Sequence, residues 1–366
     1  MKTFVISQYQ RVRELYDRYE KLLMPTMLVG GFLLDYITFA NIEIRTTLAI
    51  LFAQWFLAGS AILFIHFYDE QKLPISALLN YMRLFAPLLL QFTFGALLGS
   101  SLIFYWFSGA FSVSWPLFGM VVLLMIFNER FRDYLEKLWV QVSVYFFCTI
   151  SLVSLALPFL LASLSAWLFV LASLGSLVLF LLDVHFLSKW LENLRQQKKN
   201  IIVSIFCITI IMNLLYFTNI IPPIPLALRD AGVYHNLYLS GGKYVMKSES
   251  ENFFKTAIFG QTIYAKPGEK IYLYTAIFAP AKLQTTIVHR WQYYDEIKKE
   301  WIDKGKLSFI INGGRKDGYK GYSWLSNLAE GKWRVYVQNE RGQVLGVVRF
   351  SVKNADTFTL LKEVVR

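Results

Sequence analysis

Long apolar runs occupy residues 24–220, and an alternation of apolar and polar residues with a period of two takes over after about 243. The first pattern predicts helices without an outer polar face. The second predicts short strands with one face buried. Seven apolar windows stand out, at 24–41, 46–67, 84–107, 111–128, 139–160, 165–184 and 200–220. Each is long enough to cross a hydrocarbon layer of about 30 Å at about 1.5 Å per residue. The first is the least apolar, because it contains Pro25, Gly30, Gly31 and Asp35.

The chain is thus read as a seven-helix transmembrane domain over 24–221. It is preceded by an amphipathic cytoplasmic helix over 1–23, in which Val5, Tyr9, Val12, Tyr16, Tyr19 and Leu23 recur at helical spacing. Pro222, Pro223, Pro225, Gly232, Gly241 and Gly242 mark 222–242 as a linker. Residues 243–366 are expected to form an antiparallel β-sandwich. Ile271, Leu273, Thr275 and Ile277 alternate with Tyr272, Tyr274 and Phe278; Trp333, Val335 and Val337 alternate with Arg334, Tyr336 and Gln338. The turns Pro267-Gly268, Asn312-Gly313-Gly314 and Arg341-Gly342 separate such runs.

Charge gives the membrane segments a direction. In the segments between windows, 14 Lys and Arg lie on one alternating set and only Arg45 on the other. The excess of cations belongs in the cytoplasm, which places the N-terminus inside and the C-terminal domain outside. The expected location is a bacterial inner membrane, crossed several times. A cleaved leader is not expected, since the first apolar run follows a charged segment and no small-residue cleavage site comes after it. Residues 1–221 carry 15 basic and 12 acidic side chains and residues 222–366 carry 22 and 13, so the net charges are +3 and +9. The mean hydropathy of +0.42 agrees with a membrane protein. A basic domain outside the cell meets anionic lipid headgroups, acidic envelope glycans or envelope proteins rather than nucleic acid. Cys148 and Cys207 both fall in apolar windows, so the exported domain has no disulfide. No metal-ligand spacing is present, and no cofactor is expected.

The ordered elements YTAIFAP (274–280), HRWQYYD (289–295), INGGRKDGYKGYS (311–323), GKWRVYV (331–337) and GQVLGVVRFSV (342–352) resemble the bacterial domain of unknown function 2914 over roughly 225–353. GGFLLDYITF (30–39), FYWFSGAFSVSWP (104–116) and FNER (127–130) resemble the multi-span region that accompanies such domains. The resemblance implies a membrane-borne envelope domain and carries no activity with it.

Two sets of candidate binding residues follow. Within the membrane, Asp35 is the leading one, because a carboxylate there costs roughly 2.5–3.5 kcal/mol unless it meets a partner or a cavity. Glu129 sits at a cytoplasmic helix end, and Asp183, His185 and His66 close two other windows on that side; all four also read as interfacial anchors. Gly95 and Gly99 form a small-xxx-small pair suited to helix packing. In the exported domain, Arg290, Arg315, Lys316, Lys320 and Arg334 could gather into a basic patch, with Tyr319, Tyr322 and Trp324 offering flat faces. His289 takes the core phase and reads as a satisfied core histidine. No complete catalytic constellation appears. The preferred reading is therefore a non-enzymatic membrane protein whose bundle anchors a β-domain for an anionic ligand or partner protein. The alternative is a transporter or membrane enzyme for an amphipathic, lipid-linked substrate.

Overall fold

A computed structural model describes residues 2–41, 44–74, 76–108, 111–130, 137–223, 225–249, 261–281, 283–315, 317–354 and 361–366; within them, the side chains of 2–8, 38–41, 44–45, 104–108, 111–112 and 127–130 lie outside the description. The chain divides into a helical unit and a C-terminal unit that contains Asn219–Arg366.

The helical unit contains α1 (Lys2–Asn41), α2 (Ile44–Asp69), α3 (Ala77–Ser108), α4 (Phe111–Arg130), α5 (Leu138–Leu161), α6 (Ala166–Leu187) and α7 (Glu192–Phe217). Unbroken apolar runs leave the backbone no partner except itself, and the helix satisfies it locally. Among the described residues, five helical segments are long and apolar enough to span a membrane: Thr46–Asp69, Ala77–Ile103, Leu138–Leu161, Ala166–Leu187 and Glu192–Phe217. The expected count of seven is corrected on this point. In α1, the amphipathic segment and the first window form one 40-residue helix, in which charged residues and Asp35 dilute the apolar character. In α4 the apolar stretch is the shorter Val113–Ile126. Large apolar side chains such as Phe56, Trp167, Leu179 and Ile210 are exposed on the spanning helices, as side chains that face hydrocarbon must be.

Contacts align the helices. Leu28 lies against Gly95 and Phe32 against Gly99, while Tyr16 meets Phe85 and Tyr9 meets Tyr81 edge-on, so α1 and α3 run side by side in the same direction. One end of the unit collects polar pairs. Arg83 donates two hydrogen bonds to Asp69 at 2.7 and 2.8 Å. His66 Nε2 lies 3.0 Å from Gln141 Oε1. Glu70 accepts from the backbone N–H groups of Glu192 (2.9 Å) and Asn193 (2.7 Å), capping α7. The end of α2 and the starts of α3, α5 and α7 therefore meet there, and the segments that bear Lys72, Arg83, Lys137, Lys189 and Arg195 belong to that end.

The C-terminal unit holds β1 (Ala227–Tyr234), β2 (Asn236–Ser240), β3 (Lys243–Glu249), β4 (Gln261–Ala265), β5 (Lys270–Phe278), β6 (Gln284–Asp295), β7 (Glu300–Asn312), β8 (Tyr319–Ser326), β9 (Gly331–Asn339), β10 (Val344–Asn354) and β11 (Leu361–Val365). Strands begin inside the stretch read as linker, because Leu226, Val233 and Leu237 supply buried positions between its glycines and prolines. The sheets run β1-β5-β8, β4-β10-β9-β6-β7 and β11-β3-β2. The pairing is mixed rather than purely antiparallel, since β4 joins β10 in parallel. Ile271, Leu273 and Ile277 of the first sheet share one core with Ile287, Trp291, Val335, Val337 and Phe350 of the second. On the other side of β1 and β5, Tyr234, Tyr274 and Ala276 pack with Leu237 and Met246 of the third sheet.

Candidate functional site

Asp35 is 1% exposed, so its carboxylate is buried inside the helical unit. Gln54 Nε2 on α2 donates to Asp35 Oδ1 at 3.1 Å. Asp35 Oδ2 and Gln54 Oε1 are buried without a partner. Gln54 did not enter the candidate set, although a glutamine within an apolar window is itself a signal. Glu129 lies on α4, and its side chain falls outside the described residues.

Two cavities border the polar end. One, of about 330 Å³, is walled by Tyr16, Glu20, His66, Asp69, Arg83 and Gln141 among others. The second, of about 400 Å³ and mostly apolar, is walled by Trp55, Phe56, Tyr145, Phe180, Asp183 and His66 among others. His66 thus borders both, and Asp183 shares the second with it, so these two candidates do converge. Asp35 borders neither cavity.

In the C-terminal unit, strand alternation separates the candidates. On β6, Ile287, His289 and Trp291 are fully buried toward the first sheet, which puts Arg290 on the outer face of the five-stranded sheet. Arg334 shares that face, because Trp333 and Val335 take the buried phase of β9. Tyr322 and Trp324 lie on the exposed face of β8, while the neighbouring Ser323 points inward. The single patch combining Arg290, Arg334 and the tyrosines therefore does not form. Lys270 sits 4.3 Å above the Trp324 ring, and the Arg315 guanidinium 4.9 Å from the Tyr319 ring. Tyr319 itself packs against the core. Lys316 lies outside the described residues.

The outer face of the five-stranded sheet holds the densest arrangement. Arg290 donates to both oxygens of Asp303, at 2.8 and 2.7 Å. This pairing, with help from Gln292, holds the Asp303 carboxyl below the usual carboxylate range. Arg334 Nε donates to Gln292 Oε1 at 2.8 Å, and its guanidinium lies 4.0 Å from the Trp301 ring and 4.9 Å from that of Tyr336. Arg349 on β10 stands opposite Arg334 in register. Partial burial lowers the Arg334 pKa, and the charges of Arg349 and Arg290 act the same way. Cations on three neighbouring strands thus face outward together, with aromatic rings under one of them. Arg349, Trp301 and Tyr336 were missing from the candidate set. The alternation of Arg349 with the buried Phe350 was the available signal.

His289 is fully buried. Its Nδ1 lies 2.8 Å from Ser323 Oγ and its Nε2 3.2 Å from Thr275 Oγ1. Thr275 donates to the Gly321 carbonyl (3.3 Å), and Ser323 accepts from Trp291 Nε1 (3.0 Å). One assignment satisfies every group: a neutral ring donates from Nε2 and accepts from Ser323 at Nδ1. Burial correspondingly pushes the His289 pKa down to about 3. A second histidine, His235, is 8% exposed and lies between two carboxylates, with Nδ1 2.7 Å from Glu269 and Nε2 2.9 Å from Glu249.

Residues 284–352 match the family described as Protein of unknown function (DUF2914). That stretch covers most of the five-stranded sheet and β8, including the arginine face and the His289 network. The membrane-like helices ahead of it fit a fusion of that domain to a multi-span region. No curated protein and no solved structure matches the chain.

Proposed function

We propose that this is an integral inner-membrane protein whose helices anchor a β-sandwich outside the cytoplasm, and that the β-domain binds an anionic envelope ligand or an acidic partner surface. The observation that carries the reading is the outward cluster of Arg290, Arg334 and Arg349 across three adjacent strands, of which, among the described residues, Arg290 alone is held by a carboxylate in a two-bond pair. Guanidinium groups kept close together against their own repulsion gain most from a shared anion, and rings beneath Arg334 hold its plane in place. The pairing of sheets through one core supports the sandwich description.

The full-length protein in uncharged detergent is expected to bind a soluble acidic polysaccharide at low salt. Arg334→Gln combined with Arg349→Gln should weaken that binding by about tenfold, roughly 1.4 kcal/mol. Affinity should fall as ionic strength rises, since the Debye length contracts to about 8 Å near physiological salt. Equal binding of a neutral polysaccharide, or no effect of the double substitution, would reject the arginine face as the site.

The charge bias supports an orientation with the N-terminus in the cytoplasm and the β-domain outside. The basic segments belong to one end, and α7 leads from that end to the other before the C-terminal unit begins. A reporter that works only outside the cytoplasm should be active when fused after Arg366 and silent when fused after Lys199. The opposite pattern would place the β-domain in the cytoplasm.

The alternative of a transporter or membrane enzyme for an amphipathic substrate draws on a different feature. A cavity of mixed lining and a mostly apolar one both border His66, an arrangement that could take a headgroup and an acyl chain. The anchor reading is preferred because the buried carboxylate with unsatisfied chemistry, Asp35, borders neither cavity.

A further inference from the structure

We propose that Asp35 holds a proton in the folded protein, and that Asp35 and Gln54 form a cyclic pair of two hydrogen bonds between α1 and α2, a proton-binding site inside the helical unit. The proposal is independent of the anion-binding reading. Among the described residues, three buried side-chain polar atoms lack a partner, and two of them are the unused oxygens of this one pair, Asp35 Oδ2 and Gln54 Oε1. The other two atoms of the pair are already joined, Gln54 Nε2 donating to Asp35 Oδ1 at 3.1 Å.

An ionised carboxylate can only accept, and the amide oxygen can only accept. With Asp35 charged, both leftover oxygens are therefore without a protein partner, and one of them shares a full negative charge at a buried position. Turning the amide over brings its oxygen against another acceptor and worsens the pair. One added proton changes this. An O–H on Oδ2 donates to Gln54 Oε1, both stranded atoms gain a partner, and the charge disappears. The ring that results is the one carboxylic acids and amides form in apolar media, where leaving such groups unpaired costs most. Water supplies the proton as the helices assemble. An asparagine at this position would close the same ring permanently; the aspartate makes closure depend on a proton.

Infrared difference spectra of the full-length protein test this, taking wild type minus Asp35→Asn in detergent. The expected result is the carbonyl stretch of a protonated carboxyl, shifted in heavy water. A carboxylate band in its place overturns the proposal. Thermal midpoints give a second readout. Asp35→Asn, which can make both bonds through its own amide, should melt within about 2 °C of wild type, whereas Asp35→Leu and Gln54→Leu should each fall by about 4 °C or more. Combining the two leucines should recover part of that loss, because neither oxygen is then stranded. An Asp35→Asn variant as unstable as Asp35→Leu overturns the proposal. So does a midpoint that drops when sodium is replaced by choline at constant ionic strength and no longer does so in Asp35→Asn, which would put a metal cation in the proton's place.

Discussion

Leucine at Gly95 is expected to abolish the folded helical unit. A Cβ at this position would lie far inside contact distance of the Leu28 carbonyl oxygen on α1, and one at Gly31 would meet the Phe92 carbonyl oxygen on α3 in the same way. At both positions the obstruction is backbone, which cannot swing aside as a side chain does. Gly99 adds a close approach to Phe32 from the next turn. In a bilayer, apolar surface gains little by leaving lipid for a neighbouring helix, so association rests on close packing of this kind. Forcing a side chain into a well-packed contact costs typically 1–3 kcal/mol and more where backbone must separate, which is a large share of a total near 5–15 kcal/mol. The measurement is the fraction of expressed protein that elutes as a single species in mild detergent, with the thermal midpoint of what remains. Gly119→Leu and Gly175→Leu supply the internal control, because a Cβ at either would meet nothing within 4 Å. If Gly95→Leu behaves as those two do, α1 does not pack on α3 in the way described.

That Gly95 and Gly99 pack against a neighbouring helix was legible in their spacing, though not that the neighbour is α1 or that Gly31 completes the contact. Also legible were the strands after residue 243, the inward phase of His289, and the polar end with its basic segments. Other features were not legible, for identifiable reasons. Hydropathy alone does not tell a helix that crosses lipid by itself from one such as α1, whose carboxylate is hidden against a neighbour. Prolines and glycines at 222–242 suggested a linker, yet Val233, Tyr234 and Leu237 supply buried positions that two strands use. Alternation assigns a residue to a face but does not say which sheet the face belongs to. That is why Arg290 and Arg334 were grouped with Tyr322, when the fold sets them on different sheets. The parallel pairing of β4 with β10 joins positions 261–265 to 350–354, a long-range choice that no local pattern encodes. The same holds for Gln54, whose importance depends on Asp35 nineteen positions earlier.

The β-domain is expected to lose stability in mild acid through His289, before its carboxylates titrate. The ring is buried, neutral and saturated: Nε2 donates to Thr275 and Nδ1 accepts from Ser323. A second proton on Nδ1 would point at a hydroxyl already giving its hydrogen to that nitrogen, and would place a cation in an apolar core. The folded pKa is accordingly depressed to about 3, while the unfolded chain titrates near 6.5. For a group depressed in this way, the contribution is fully present above the unfolded value and is lost as pH falls toward the folded one. Residues 219–366, produced as a separate domain, should therefore weaken by about 1.4 kcal/mol for each pH unit below roughly 6. Between about pH 6.5 and 5 this histidine can be read apart from most carboxylates, whose ordinary values lie near 4. Denaturant unfolding at pH 7 and pH 5 measures the difference. His289→Leu should lower stability at pH 7 by about 3 kcal/mol, because Ser323 and Thr275 each lose a buried partner. It should also flatten the slope between pH 6.5 and 5. A variant that keeps the wild-type slope would show that the acid sensitivity arises elsewhere, and that the network around His289 does not hold the ring neutral.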